Sequence, residues 1–365
     1  MNVRGSIVAA TLAMLIAPQA RAQQPVPQTE PDYPRGRISG YMFGDVYYNV
    51  NGDPVHRYNS SGADSSQPNI DGVKSIGEDL SGIQFRRIYF QADNDLSVKF
   101  STRFRLEVDG KSLTSDGKLG VNVKAAYLLA KNVVPRGNFL FGVLGTPIWE
   151  NSEEFWGYRS IEKTIADFRG LGSSADLGIE LKGFLDEGHK IGYLAMIGNG
   201  GGQKPEVNRY KKLYLSIPLA PIANFKVEPY ADYEGGYSGT EKVTYKLFLG
   251  YGFKKVAIGG EIVDRVNHSP SGNQEPFGLS VFARTAPPTA KLAAFARFDR
   301  WQPNTRAANR IDQDLYIAGF DWQAYKDVHV MPNVEAIDYR AQGTATAPAN
   351  DVQARVTFYY KLSKP

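Results

Sequence analysis

The sequence predicts an all-β chain: a transmembrane antiparallel β-barrel of about sixteen strands, with short turns at one end and long external loops at the other. The third long-end loop is expected to fold inward and to carry a short helix. Three observations lead there. Beyond residue 22 no stretch has the roughly eighteen consecutive apolar residues of a membrane helix. Apolar and polar residues alternate at period two over many segments. The connections between those segments alternate between short and long.

The first residues read as an export signal. Arg4 supplies a positive start, residues 7–16 an apolar core, and Ala20, Arg21 and Ala22 a small-x-small site, so cleavage is expected after Ala22. An apolar run of that length is too short to anchor the chain across a bilayer. Residues 23–36 carry Pro25, Pro27, Pro31 and Pro34 with too little apolar content for a core, and read as a Pro-rich leader. The barrel is then residues 37–365, one domain, since nothing after the leader resembles a linker.

Composition narrows the function classes. The absence of cysteine removes disulfide scaffolds, thiolate metal sites, cysteine nucleophiles and a lipid-modified N-terminal cysteine. Lys+Arg number 42 against 38 Asp+Glu, and loss of Arg4 and Arg21 with the signal brings the formal charge from +4 to about +2. That is no nucleic-acid footprint.

Lipid accepts only structures whose backbone polar groups are all paired internally, so strands cross it only in a closed barrel, apolar side outward and polar side inward. On the clearest strand Val98, Phe100, Thr102, Phe104, Leu106 and Val108 form one face, and Lys99, Ser101, Arg103, Arg105, Glu107 and Asp109 the other. The pattern recurs with Phe225, Val227, Pro229, Ala231 and Tyr233 against Lys226, Glu228, Tyr230, Asp232 and Glu234. It recurs again with Val352, Ala354, Val356, Phe358, Tyr360 and Leu362 against Gln353, Arg355, Thr357, Tyr359 and Lys361. Soluble sandwiches alternate too, so alternation alone does not decide the class.

Sixteen segments long enough to cross an outer membrane begin near Ile38, Ile83, Leu96, Val121, Asn138, Asp176, Lys190, Tyr210, Asn224, Lys242, Lys255, Pro276, Ala290, Ile311, Val328 and Asp351. Short turns are expected at Asp93, Asn94 and Asp95, at Asp186, Glu187 and Gly188, at Phe253 and Lys254, and at Tyr325, Lys326 and Asp327. The long connections, residues 51–82, 149–175, 200–209 and 341–350, all fall on the opposite side. With the N-terminus in the periplasm, this is the two-sided asymmetry of an outer-membrane barrel in a bacterial envelope. Aromatics near strand ends, Tyr47, Tyr48, Tyr233, Tyr251, Trp301, Trp322 and Tyr339, suit an interfacial girdle.

Residues 147–175 are too long and too charged for a turn. Glu150, Glu153, Glu154, Arg159, Glu162, Lys163, Asp167 and Arg169 are the candidates for a pore constriction, where side-chain charge would set conductance and ion preference. Ile161, Ile165 and Phe168 fall at helical spacing, so the short helix is expected over residues 160–168. The lumen-wall candidates are Lys99, Arg103, Arg105, Glu107, Asp109, Lys226, Glu228 and Asp232, with Arg86 or Arg87 joining a cationic strip.

The run WGYRSIEKTIADFRG over residues 156–170 resembles porins grouped with the phosphate-selective porin O and P family. GIQFRRIYF from Gly82, FRLEVDG from Phe104, AYLLAKN from Ala126 and IGNGGGQKPE from Ile197 are similar to them too, and in the same order. The resemblance covers most of the chain beyond the leader and is densest over residues 82–219. It implies a sixteen-stranded outer-membrane porin, often a homotrimer, with an inward-folded third loop. Such a protein passes small hydrophilic solutes or ions by passive diffusion, in some members phosphate, in contact with outer-membrane lipid and without a cofactor. The third loop departs from a dense basic ladder, holding five acidic side chains (Glu150, Glu153, Glu154, Glu162, Asp167) against three basic ones (Arg159, Lys163, Arg169).

Two other readings stay open. A plugged structural or adhesive barrel would share the whole pattern, and the lumen separates it from a channel. A barrel hydrolase needs a serine, a histidine and an acid together, and the four histidines, His56, His189, His268 and His329, are scattered with no Gly-x-Ser-x-Gly turn. No two histidines fall at metal-ligand spacing.

Overall fold

The computed structural model describes residues 32–56, 60, 69–70, 73–285 and 291–363. The export signal, most of the leader and the tips of the first long connection lie outside the described residues. The barrel strands, numbered in chain order, are β1 Arg35–Asn51, β2 Ser81–Asp95, β3 Phe100–Leu113, β4 Leu119–Val134, β5 Gly137–Gly145, β6 Ala175–Phe184, β7 Gly192–Gly198 and β8 Lys212–Ser216. They continue as β9 Phe225–Glu234, β10 Lys242–Gly252, β11 Val256–Asn267, β12 Phe277–Thr285, β13 Leu292–Gln302, β14 Arg310–Tyr325, β15 Val328–Gln342 and β16 Asp351–Ser363. Each pairs antiparallel with its neighbours in sequence, and β1 pairs with β16 to close the barrel. Closure leaves no unpaired strand edge, the condition for crossing lipid with strands. No helix among the described residues is long and apolar enough to cross a membrane.

All sixteen expected segments are strands, and none begins more than four residues from its expected start. The inside and outside faces follow the alternation. On β3 Phe104 is 44% exposed and Glu107 only 3%, and on β16 Val356 is 43% exposed and Thr357 fully buried. Large apolar side chains such as Ile83, Val121, Phe141, Ile197 and Leu247 stand outward and uncovered, a surface that water penalises and hydrocarbon does not.

The ends differ from expectation in four ways. Asp93, Asn94 and Asp95 are the last residues of β2, and the turn is residues 96–99. Cross-strand ion pairing extends the strand: Asp93 accepts from Arg103 at 2.7 Å and from Arg37 at 3.3 Å. Lys99 therefore sits exposed in the turn and not on the lumen wall. Residues 114–118 make a tight turn at the long-loop end, closed by the Thr114 N–H donating to the Lys118 carbonyl. Residues 217–224 make a longer connection at the short-turn end. There Pro218 and Pro221 cannot donate to the sheet, so β8 stops at Ser216 and pairing survives only as single bridges at Leu219.

Of the expected girdle, Tyr48, Tyr233, Tyr251 and Trp322 face outward, all more than a third exposed. Trp301 and Tyr339 are buried in the lumen, and Tyr47 shares their inward face. Trp301 lies two residues from inward Asp299 and so must share its side at period two.

Candidate functional site

The connection over residues 146–174 enters the barrel. It begins in α1, Glu150–Trp156, which ends at Gly157 in the left-handed conformation (φ 75°), the glycine N–H donating to the Glu153 carbonyl. A second single turn, α2, spans Ile165–Phe168. The helix expected over residues 160–168 is thus only its last four residues. Ile161 lies in a turn closed on Tyr158, and Thr164 is extended.

The loop holds its place because one side of the lumen wall is apolar. Trp156 and Ile161 are fully buried against Phe248, Phe282, Phe295, Leu315, Ile317 and Met331, inward residues of β10 and β12 to β15. Ile148, Ile165 and Leu171 pack likewise on Leu194, Met196 and Val263. Burying such side chains contributes about 1.5–3 kcal/mol each, enough to fix a loop that a water-filled lumen would otherwise leave unsupported. Polar latches complete the seat. The Arg284 Nε donates to the Phe155 carbonyl at 3.0 Å, the Ile165 N–H to Glu261 at 3.1 Å, and the Arg297 Nη1 to the Lys163 carbonyl.

The deepest latch comes from a β-bulge. Phe43 of β1 pairs with Arg87 and Gly44 with Phe85, so Arg86 is the extra residue on β2. A bulge breaks the period-two rule locally, and both Arg86 and Arg87 therefore point inward. Arg86 Nε lies 3.0 Å from Asp45 and Nη1 3.4 Å from Glu162, while Nη2 donates to the carbonyls of Ser160 and Ile161. A second bulge on β4, where Arg105 pairs with Ala125 and Leu106 with Val123, turns Lys124 inward beside Ala125. Both bulges bring a cation into the lumen.

Opposite the docked side the loop leaves space. A cavity of about 440 Å³ lies between α1 and the wall of β1 to β6. A second of about 430 Å³ adjoins it, the two sharing Tyr41, Glu153, Glu154, Gly157 and Arg159. The first is lined by five cations, Arg103, Arg105, Lys124, Arg159 and Lys182, and five acids, Glu150, Glu153, Glu154, Asp167 and Glu180. Four of the cations stand on strands and three of the acids on α1, so the charge is divided across the space. Tyr41, Tyr89 and Tyr127 separate the charged groups along the wall, with Arg105 over the Tyr89 ring and Arg103 over Tyr127.

Most of these charges are neutralised locally. Arg103 pairs with Asp93 at 2.7 Å, Lys124 with Glu107 at 3.2 Å, Arg159 with Glu153 at 3.0 Å and Lys182 with Glu180 at 2.9 Å. Asp167 pairs with Lys163 at 3.0 Å, and exposed Glu154 with Lys226 at 3.8 Å. Arg105 Nε donates to the neutral Gln91 at 2.6 Å, and Glu150 interacts through space with Lys182, the cation that pairs with Glu180. Burial pushes the Glu153 carboxyl up to about 7, against the pull of the adjacent Arg159 guanidinium.

Of the eight loop candidates, Glu150, Glu153, Glu154, Arg159 and Asp167 line this space. Glu162 and Arg169 lie on the docked side, where Glu162 meets Arg86, and Arg169 donates to Gln313 at 2.6 Å with its guanidinium over Phe168. Lys163 braces α2 through Asp167. On the wall, Arg103 and Arg105 line the cavity, while Glu107 and Asp109 hold Arg87 at 2.9 and 3.6 Å. Glu228 and Asp232 face inward but are covered. Glu228 pairs with buried Lys246 at 3.0 Å, and Asp232 with Lys212 at 3.3 Å. Lys182, Lys124 and the tyrosines were not expected as site residues. Period two on β6 puts Lys182 on the same inward side as Glu180, whereas only the bulge places Lys124.

His329 meets Asp321 at 2.7 Å, and His189 stacks on Phe184 in a short-end turn.

Solved structures match this barrel over nearly its whole length. The outer-membrane channel DcaP of Acinetobacter baumannii matches with a TM-score of 0.61 at 12% identity, over 90% of this chain and 97% of that one. The anion-selective porin from Comamonas acidovorans matches at 0.60 and 12% identity, over 90% and 100%. OmpF of Salmonella typhi, in complex with daunomycin, matches at 0.59 and 10% identity, over 90% and 97%. No protein-family model matches the chain, and no curated protein matches it in sequence. At these identities the likeness is one of fold: a closed sixteen-stranded antiparallel barrel shared with outer-membrane porins.

Proposed function

We propose that this chain is a porin of the bacterial outer membrane, a passive diffusion channel for small hydrophilic solutes and ions. The observation that carries the reading is the third loop, docked on an apolar strip of the lumen and leaving a charged space between itself and the opposite wall. A loop serving only as a plug has no need to keep ten charged side chains around an open volume. In this reading residues 1–22 are removed after export, the short turns face the periplasm, and three copies assemble as the resemblance implies.

Ion preference follows from the lining. Five cations against five acids give no excess of either sign when all are ionised, so discrimination between small ions is weak above neutral pH, where the Glu153 carboxyl has lost its proton. The likeness to the anion-selective porin from Comamonas acidovorans supports anions among the solutes passed, and phosphate among them rests on the sequence resemblance alone.

Swelling of liposomes containing the refolded protein, in neutral sugars of increasing size, tests the channel. Rates that fall steeply with sugar size support a loop-narrowed pore. Liposomes that do not swell in even the smallest sugar contradict it.

A further inference from the structure

Period two puts apolar side chains on the outside of the barrel, yet on three adjacent strands it puts charges there too. Trp301 of β13, Leu315 of β14 and Tyr339 of β15 are buried in the lumen, so their neighbours Arg300, Asp314 and Arg340 point outward. The same count places Arg310, Asp312 and Asp338 outside. Among the described side chains, Asp264 of β11 is the one other charge on an outward strand face. All six lie at the long-loop end, where residues 303–309 and 343–350 connect the strands.

Within this patch the arginines lie on top and the acids beneath. Arg300 and Asp314 are cross-strand partners, with Arg300 Nε at 2.9 Å and Nη2 at 2.8 Å from the two carboxylate oxygens. Arg340 reaches the same carboxylate at 2.7 Å and Asp338 at 3.1 Å. The Asp314 side chain is thereby shut off at 1% exposed, while those of Arg300 and Arg340 remain 41% and 44% exposed. The acid fixes both guanidiniums, and the surface they present outward is cationic. Toward the middle of the strands come Phe298 and Tyr316, ring centres 5.2 Å apart, and then the paired Ala296 and Ala318. The outer face thus passes from arginine through an aromatic pair to a shallow apolar strip, the order in which a membrane lipid runs from phosphate to acyl chain.

We infer that Arg300 and Arg340 hold a phosphate of an outer-leaflet glycolipid of the lipid A type, with an acyl chain of that lipid along Ala296 and Ala318. The inference rests on the outer-membrane part of the reading above, which puts the long-loop end at the outer leaflet. Guanidiniums suit this role because their planar donors match phosphate oxygens, and here Asp314 has already oriented them. A second copy of this chain fits less well, because outside the patch the outward strand faces offer only Asp264 as a counter-charge among the described side chains.

The test is binding of diphosphoryl lipid A to the refolded full-length barrel in detergent, set against an analogue with the same acyl chains and no phosphate. EDTA is present, so that no divalent cation bridges the lipid to the acids. Diphosphoryl lipid A should bind about tenfold tighter, the factor of one charge-assisted contact. The preference should shrink in 1 M salt, where the screening length falls to about 3 Å. The combined variant Arg300→Gln, Asp314→Asn, Arg340→Gln removes both guanidiniums without leaving a buried carboxylate unpaired, and should bind the two lipids equally. Asp314→Asn alone keeps both arginines and should keep the preference, as should Arg306→Gln on the adjoining loop, where Arg306 pairs with Glu275. Heat-modifiable migration verifies the fold of each variant. Equal binding of the two lipids by the unaltered protein, or an undiminished preference in the combined variant, overturns the inference. A combined variant that loses self-association while keeping the preference also overturns it and assigns the patch to contact between copies. Sugar flux through the same preparation reports the channel separately: no preference with normal flux overturns the inference alone, and a preference without flux overturns the channel alone.

Discussion

The Arg159 guanidinium lies 3.0 Å from the Glu153 carboxylate, both on the inward-folded loop and both lining the lumen. Burial nonetheless holds the Glu153 carboxyl at about 7, so this acid gains and loses its proton near neutrality. Below that pH it is neutral and the lining carries one positive charge in excess. Above it the ten charges balance. Reversal potentials in a potassium chloride gradient should therefore shift toward chloride as pH falls from 8 to 6. Glu153→Gln should give the low-pH value at both.

Arg86 joins the barrel to its loop through Asp45, Glu162 and two loop carbonyls. Its removal strands two carboxylates in a partly dry site, a loss of about 3 kcal/mol in loop docking. Arg86→Ala should leave a heat-modifiable barrel with noisier conductance and faster proteolysis within residues 146–174.

Trp156 is wholly buried between loop and wall, its ring 5.1 Å from Phe282 and 6.1 Å from Phe295. Trp156→Ala should cost about 3–5 kcal/mol. The expected signature is a lower melting temperature in detergent together with a larger mean conductance, since the loop loses its largest anchor while the strands keep theirs.

Leu247 stands outward in the middle of β10, 42% exposed. If that face meets hydrocarbon, Leu247→Arg should destabilise the barrel in bilayers by about 2–4 kcal/mol, measured by reversible urea unfolding. A change within about 0.5 kcal/mol, the range of an ordinary surface substitution, would place this face elsewhere.

Strand number, order and inward faces were legible because period two is imposed on every membrane strand by the same demand, water on one side and lipid on the other. Phe104 and Glu107, or Val356 and Thr357, declare their sides without a structure. What escaped the pattern lies where that demand is broken. Arg86 and Lys124 enter the lumen through bulges, which depend on pairing between strands and leave no periodic trace. The helix was misplaced because Ile161, Ile165 and Phe168 owe their spacing to docking on a wall, not to a continuous helix, while α1 shows a polar face to the lumen and reads as loop. Glu228 and Asp232 face inward as the alternation requires, but no local signal shows that Asn151 of the loop would donate to Glu228 or that Lys212 would hold Asp232.

The most direct test is single-channel conductance of the refolded protein in a planar bilayer, with the fold verified by heat-modifiable migration. A water-filled lumen narrowed by its third loop predicts discrete, long-lived steps that rise in proportion to salt. Silence from a verified barrel would contradict it and identify a plugged, structural protein.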